Sequence, residues 1–477
     1  MLRMKFFNYV GIFCMSLLFT ACLPSLVRKD ANPAVPASYN GSQDTTSTGK
    51  KGWGQFFTDP YLLALIDTAL KNNQQLNIIL QDIEIANYQI RARKGAYLPF
   101  VHLIGAGGVD KEGRYTRLGA VDAENQIIPG QANPAAIPDL LLDANVSWQV
   151  DIWKQLRNAR KSAQFRFLST TQGKNFMVTN LVTEIAYAYY ELMALDNQLD
   201  ILKANIVIQS NALNLVTLEK AAGQVTDLAV RRFQGEVRKN QSRQYFIQQR
   251  IIEAQNHINF LVGRYPQNLE RNSKTFPQLK PDSIYTGVPS QLLSNRTDIK
   301  QAELDLTAAK LDVKVAKANF YPVLNITANL GYESFDAKYF ITTPQSMLFN
   351  AAGGLVAPFI NRNAIKAEYL SANARQIQAA YNYERTVLKA YTEAVNQLNN
   401  INNLSRSYYY KVQQVEALAK SIDVSINLFK SARADYVEVL LVQRDALEAR
   451  MELIETKKQQ MNATVKMYQV LGGGWYK

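Results

Sequence analysis

Residues Leu142–Ile152 constrain this chain more than any other stretch. Leu142, Ala144, Val146, Trp148, Val150 and Ile152 alternate with Asp143, Asn145, Ser147, Gln149 and Asp151. Side chains of a strand point to opposite faces in turn, so a period of two gives this run one apolar and one polar face. Leu324, Ile326, Ala328, Leu330 and Tyr332 repeat the pattern against Asn325, Thr327, Asn329, Gly331 and Glu333. Strands of about 10 residues with such faces suit a transmembrane β-barrel with a wet lumen. Two Gly-rich runs, Val101–Val109 and Phe349–Ala357, complete two hairpins. The expected strands are then 98–112, 140–152, 321–335 and 347–358, with polar outer loops at 113–139 and 335–348. Four strands cannot close on themselves, and hydrocarbon tolerates no open edge, so such a barrel needs several chains.

The chain is also written twice. Ala92-Arg93-Lys94-Gly95-Ala96-Tyr97-Leu98-Pro99 resembles Ala316-Lys317-Ala318-Asn319-Phe320-Tyr321-Pro322, each between a helical pattern and an alternating one. Leu181, Ile185, Ala188, Leu192, Leu195, Leu199 and Leu202 step by 4 and 3. Val387, Tyr391, Ala394, Leu398, Ile401, Ser405, Tyr408, Val412 and Val415 do the same in the second half. A seam of that period requires supercoiled helix packing. The halves run over 53–270 and 285–477, with a linker at 271–284.

The first residues read as an export signal. Arg3 and Lys5 precede the short apolar run Tyr9–Phe19, and Thr20-Ala21-Cys22 follows. The run is too short to span a bilayer, so residues 1–21 read as a secretory signal. Leu18-Phe19-Thr20-Ala21-Cys22 resembles a bacterial lipobox, which makes Cys22 the lipidation candidate. Residues 22–52 read as a lipid-anchored tether, polar and rich in Pro, Ser, Thr and Gly over 27–52. Cys14 leaves with the signal, so the mature chain has no disulfide and depends on packing or oligomerisation.

Charge excludes more than it assigns. The chain has 53 Lys+Arg against 40 Asp+Glu, a formal +13. The cations read as spread along helical stretches, and no recognition module accompanies them, which argues against nucleic acid. His102 and His257 are too few for a metal cluster, so no metal or cofactor is expected. No nucleophile elbow or phosphate loop is present, so no catalytic residue is assigned and no enzyme activity is expected.

These patterns resemble the TolC/OprM-type outer-membrane factor family, in its lipid-anchored NodT-like branch. Trp53…Phe57-Thr58-Asp59-Pro60-Tyr61-Leu62 looks like the family's opening segment. Gln291-Leu292-Leu293-Ser294-Asn295-Arg296-Thr297-Asp298-Ile299-Lys300-Gln301-Ala302-Glu303 is similar to its LL-x-x-RPDI-x-x-AE motif, with Thr297 where Pro is usual. Leu471-Gly472-Gly473-Gly474-Trp475 resembles its closing LGGGW.

The resemblance implies a mainly α protein with transmembrane β-strands, four per protomer. A homotrimer would form a 12-stranded β-barrel continuous with a long periplasmic α-helical barrel. It implies an outer-membrane duct working with a periplasmic adaptor and an inner-membrane pump, commonly of the RND type. It places a periplasmic gate on Phe429, Arg433, Glu438 and Leu441, with Glu438 as the pore-narrowing acid. It places adaptor docking on two turns, one with Gly223, Val225 and Asp227, the other with Ala434 and Tyr436. A type I protein-secretion duct and a non-transporting coiled-coil surface lipoprotein are the rival expectations.

Overall fold

A computed structural model describes residues 23–27, 29–39, 44–281, 284–358, 362–431 and 433–477. The signal and Cys22 lie outside the described residues. The elements run α1 (Pro60–Asn72), α2 (Gln74–Gly95), β1 (Phe100–Asp110), α3 (Arg117–Glu124), β2 (Ile137–Val150), α4 (Gln155–Ala221) and α5 (Asp227–Val262). They continue as α6 (Thr297–Ala318), β3 (Val323–Ser334), β4 (Met347–Val356), α7 (Asn363–Lys430) and α8 (Tyr436–Val470), with short helical turns besides. α4 and α7 hold 67 and 68 residues. No helix among the described residues is long and apolar enough to cross a membrane.

Contacts group these elements into two units. The first comprises residues 1–30, 85–167 and 304–380; the second comprises 31–84, 168–303 and 381–477. Each draws on both duplicated halves.

The first unit holds one antiparallel sheet in the order β1-β2-β3-β4. Its register turns the sequence alternation into two faces. Leu103, Ala144, Leu330 and Phe349 lie side by side in one row across all four strands. The next row, on the opposite face, is His102, Asn145, Asn329 and Asn350. One face is thus apolar from edge to edge, while Asn145, Ser147, Gln149, Asn325 and Thr327 make the other polar. Gly331 is obligatory in its row: a Cβ there would stand 2.3 Å from the Leu142 carbonyl oxygen and 2.7 Å from Asp143 Cα. β1 and β4 are the outer strands, each with a bare edge.

The strand limits differ from the alternation in one instructive place. β2 stops at Val150 although Asp151 and Ile152 continue the pattern. Asp151 turns to accept the Leu156 and Arg157 backbone N–H groups, each at 3.0 Å, and Arg157 also pairs with it at 3.1 Å. The first turn of α4 needs those bonds, and capping overrides alternation. Ile152 therefore lies outside the strand. In the 113–139 loop, α3 forms because the Thr116 hydroxyl accepts the Gly119 N–H.

In the same unit residues 23–27 and Lys29 lie against helices rather than hanging free. Leu23 and Leu26 pack on Ala316, Phe320, Tyr369 and Ala372. The Val27 and Lys29 carbonyls accept from Asn373 and Gln376 at 3.1 and 3.0 Å. The composition suggested a loose tether; two leucines and satisfied carbonyls make this part a docked strap.

The second unit contains the main helical core. Asp59 starts α1 by accepting from Tyr61 and Leu62, with Pro60 at the first helical position, where its missing N–H costs nothing. Asp59 also accepts from the Tyr189 hydroxyl at 2.8 Å. Leu62, Ile66, Ile185, Leu192 and Ile258 are fully buried together. Each such side chain contributes about 1.5–3 kcal/mol over exposure. The first-half seam is buried as the spacing requires, from Leu181 to Leu202, with Leu199 half-buried. The second is buried only at Val387 and Ala394, and Ser405 is exposed. The other seam residues are half-buried in one copy of the chain, where α8 flanks them: the Gln460 amide donates to the Leu404 carbonyl at 3.3 Å.

The motif around Arg296 joins the start of the second half to its end. Arg296 reaches Asp298 at 2.7 Å, Glu393 at 2.8 Å and the Val470 carbonyl at 3.2 Å. Thr297 occupies the first position of α6. Gly473 fits because Tyr468, stacked on Phe56 at 3.9 Å, leaves no room for a Cβ. The Tyr468 hydroxyl also donates to the Lys51 carbonyl at 2.6 Å, which holds the entry segment against the chain's end.

Candidate functional site

The two helical turns singled out by sequence stand at the ends of α4/α5 and α7/α8, in the second unit. The first forms because α4 ends on a glycine. Gly223 has φ +77, the left-handed region that glycine adopts without strain. The Gln224 N–H reaches back to the Glu219 carbonyl at 2.9 Å and the Gly223 N–H to that of Lys220 at 3.0 Å, which satisfies the last carbonyls of α4. In the second turn the Arg433 N–H bonds the Leu428 carbonyl at 2.9 Å, the same five-residue step.

The turns share one small core. Val216, Ala229 and Phe233 are buried, and Val225, Tyr436 and Leu440 pack against them. Val225 and Tyr436, expected as docking residues, therefore hold the two tips to each other and are only half-exposed. Sequence reading missed Val216, Phe233 and Leu440. The signal existed, because Leu202, Gln209 and Val216 extend the first seam in steps of seven.

Asp227, the first residue of α5, is gripped from both sides. Lys220 pairs with it across the turn, and Arg231 pairs at 3.2 Å one turn along. The Lys220 and then the Arg231 hydrogen bonds hold its carboxyl below the usual carboxylate range. The pairs are exposed, so they shape the turn more than they stabilise it.

The gate candidates lie on the other turn. Phe429 is half-buried near the end of α7, Arg433 is exposed in the turn, and Ala434 is half-buried. Glu438 sits in the first turn of α8, where the helix dipole favours a carboxylate. Leu441 follows one turn on, and both are exposed. Glu438 and Arg433 form no ion pair with a described residue. One protomer thus offers a free acid and an apolar side chain on one helical face.

Behind the tips the helices are tied by charge and amide. Arg243 of α5 pairs with Glu448 of α8 at 2.6 Å, and Lys411 of α7 pairs with Glu452 at 2.5 Å. Glu191 of α4 receives both Arg250 and Lys458, at 2.5 and 2.6 Å. At the buried seam position Gln209, the side-chain oxygen accepts from Asn240 at 2.8 Å. A polar residue in an apolar seam fixes register at some cost in stability. Among the described residues no group of three His, Cys, Asp or Glu side chains is placed to hold a metal.

Known proteins share this architecture. The family described as "Outer membrane efflux protein" matches residues 65–264 and 288–473. The pyoverdine export outer membrane protein OpmQ of Pseudomonas aeruginosa is 26% identical over 461 residues, covering 96% of this chain and 95% of that protein. The cation efflux system protein CusC of Escherichia coli O6:H1 is 25% identical over 480 residues, covering 97% and 98%. A crystal structure of CusC, solved in a study of transmembrane channel formation, superposes with a TM-score of 0.81 at 23% identity, covering 95% of this chain and 100% of that one.

Proposed function

The chain belongs to the outer membrane efflux protein family, and on that premise we propose that it is the outer-membrane exit duct of a tripartite export system. One observation carries the reading. The sheet has an apolar face, a polar face and two bare edges, so it completes a membrane barrel only with further copies. Three copies contribute twelve strands around a wet lumen, and the polar row through Asn145 and Asn329 faces that lumen. The half-buried stretch of the α7 seam then completes its burial against the neighbouring protomer.

The duct is passive. An inner-membrane pump of the RND type drives cargo into it through a periplasmic adaptor, which docks on the turns at Gly223, Asp227 and Ala434. Cys22 carries the lipid that anchors the protein to the outer membrane. Relatives named for pyoverdine export and cation efflux support small molecules or ions as cargo.

The gate is the ring of three Glu438 side chains with Leu441 beside it. Three carboxylates around a narrow axis favour cations. The Glu438→Ala trimer in a planar bilayer is expected to lose cation preference and gain resting conductance; unchanged traces remove Glu438 from the gate. Deletion of the gene, screened against small toxic compounds and against the secretome, tests the export role. Sensitisation with an intact secretome supports efflux, and loss of a single secreted protein points instead to type I secretion.

A further inference from the structure

The cations that look dispersed along the sequence are gathered in space. Four segments flank the ends of the strands at Phe100, Val150, Val323 and Val356, which the antiparallel register brings to one end of the sheet. These are residues 85–98, 151–167, 304–322 and 362–380, with three, five, three and three Lys or Arg and four acids in all. Fourteen cations against four acids leave 39 against 36 for the rest of the chain, out of totals of 53 and 40. Most of the excess charge therefore sits in a collar at one end of the sheet. The loops at the opposite end, 110–139 and 333–348, hold seven acids and four cations.

Part of the collar's charge is open. Arg157 is engaged by Asp151 and Arg166 by Asp312. Lys94, Lys154, Lys161, Lys317 and Lys366 are exposed and form no ion pair with a described residue. Arg93 lines a cavity of about 570 Å³ between α2, α4 and α6, where Gln89 and Ser162 add polar groups and Asp312 is already matched by Arg166.

An independent feature fixes the level. Trp153 stacks on Tyr321 with ring centroids 4.7 Å apart, and its indole N–H donates to the Pro322 carbonyl at 2.7 Å. The Trp148 indole donates to the Tyr97 carbonyl at 3.2 Å. Amphipathic rings at strand ends mark a membrane–water interface. The headgroup layer is about 5–8 Å thick on each side of the hydrocarbon, so the first turns of helix beyond the rings stand in it.

We propose that this collar binds anionic phospholipid headgroups of the periplasmic leaflet and so sets the depth and tilt of the barrel. The proposal rests on the outer-membrane reading above. Ammonium and guanidinium groups next to an aromatic girdle match a phosphodiester layer in charge and in height. The acid-rich opposite end gives the barrel an electrostatic polarity, so only one end seeks that layer.

The test uses the full-length protein in nanodiscs of phosphatidylcholine with graded phosphatidylglycerol or cardiolipin, read by retained lipid in native mass spectrometry. Wild type is expected to retain anionic lipid, and added salt is expected to weaken retention. Each surface cation is worth about fivefold, so Lys94→Gln, Lys154→Gln, Lys161→Gln and Lys317→Gln together are expected to lower retention by about two to three orders of magnitude. The four Lys→Arg changes are expected to preserve it. Equal retention of zwitterionic and anionic lipid by wild type overturns the proposal without any variant being needed. So does unchanged retention of anionic lipid by the Gln variant. Bilayer conductance separates the two readings. A protein that conducts without lipid preference sinks only the collar; one that never inserts sinks the outer-membrane reading itself.

Discussion

Replacing Arg296 with methionine is the sharpest test of how the second half is locked. Arg296 is 6% exposed, and it answers Asp298, Glu393 and the Val470 carbonyl at once. Burial works against its charge, yet Asp298 and then Glu393 more than offset this and hold the guanidinium above its ordinary value. Methionine fills similar volume but strands two carboxylates and one carbonyl. Lys389 lies 3.8 Å from Glu393 but is too exposed to replace the lost cation. Removing one partner from a buried pair costs about 3–5 kcal/mol, and the lost carbonyl bond about 1 kcal/mol within that range. The consequence is local: hydrogen exchange of Leu292–Ile299 and Val470–Gly472 should accelerate by about two to three orders of magnitude. Adding Asp298→Asn and Glu393→Gln should recover part of the loss, because the neutral amides leave no uncompensated charge in the site. The reasoning is refuted if exchange in both segments is unchanged, or if the triple variant is worse than the single one.

Three further outcomes follow from the geometry. Phe233→Ala empties the core shared by the tips; at about 3–5 kcal/mol it should splay them, raising resting conductance and exchange over residues 213–236. Gly473→Ala sets a Cβ 2.2 Å from the buried Tyr468 ring, and overpacking of about 1–3 kcal/mol should lower the thermal unfolding midpoint followed by circular dichroism. Asp227 is held below the usual carboxylate range, so its contribution is complete above about pH 4 and fades as pH falls through the lowered value. Protection from exchange at residues 220–228, corrected for the intrinsic rate at each pH, should therefore fall only in acid, and Asp227→Asn should abolish that fall.

The barrel strands and the first seam were legible because their periods report burial directly. Leu181, Ile185, Leu192, Leu195 and Leu202 are buried as spacing demands, and Asn145 and Asn329 share the polar face that alternation assigned. Four things were not legible. Ile152 keeps the alternation but is outside the strand, because Asp151 is needed by α4; a capping carboxylate looks like any polar strand residue. Residues 23–30 open the stretch read as a tether, and only the surfaces of Phe320 and Tyr369 make Leu23 and Leu26 into anchors. At the tips, the residues named for docking include two, Val225 and Tyr436, whose apolar sides are taken by the shared core. Pairing between α5 and α8, such as Arg243 with Glu448, spans 205 residues and leaves no local trace.

The bare edges of β1 and β4 also have a genetic consequence. A chain with a spoiled outer strand builds nothing by itself, yet it still offers its other edge to normal chains. One faulty seam opens a ring to lipid along its whole height. With equal supplies of both chains, only about one trimer in eight is free of the faulty copy. Lesions on these edges should therefore behave as dominant alleles. Lesions in the helical core, which remove the chain before it meets its neighbours, should be recessive.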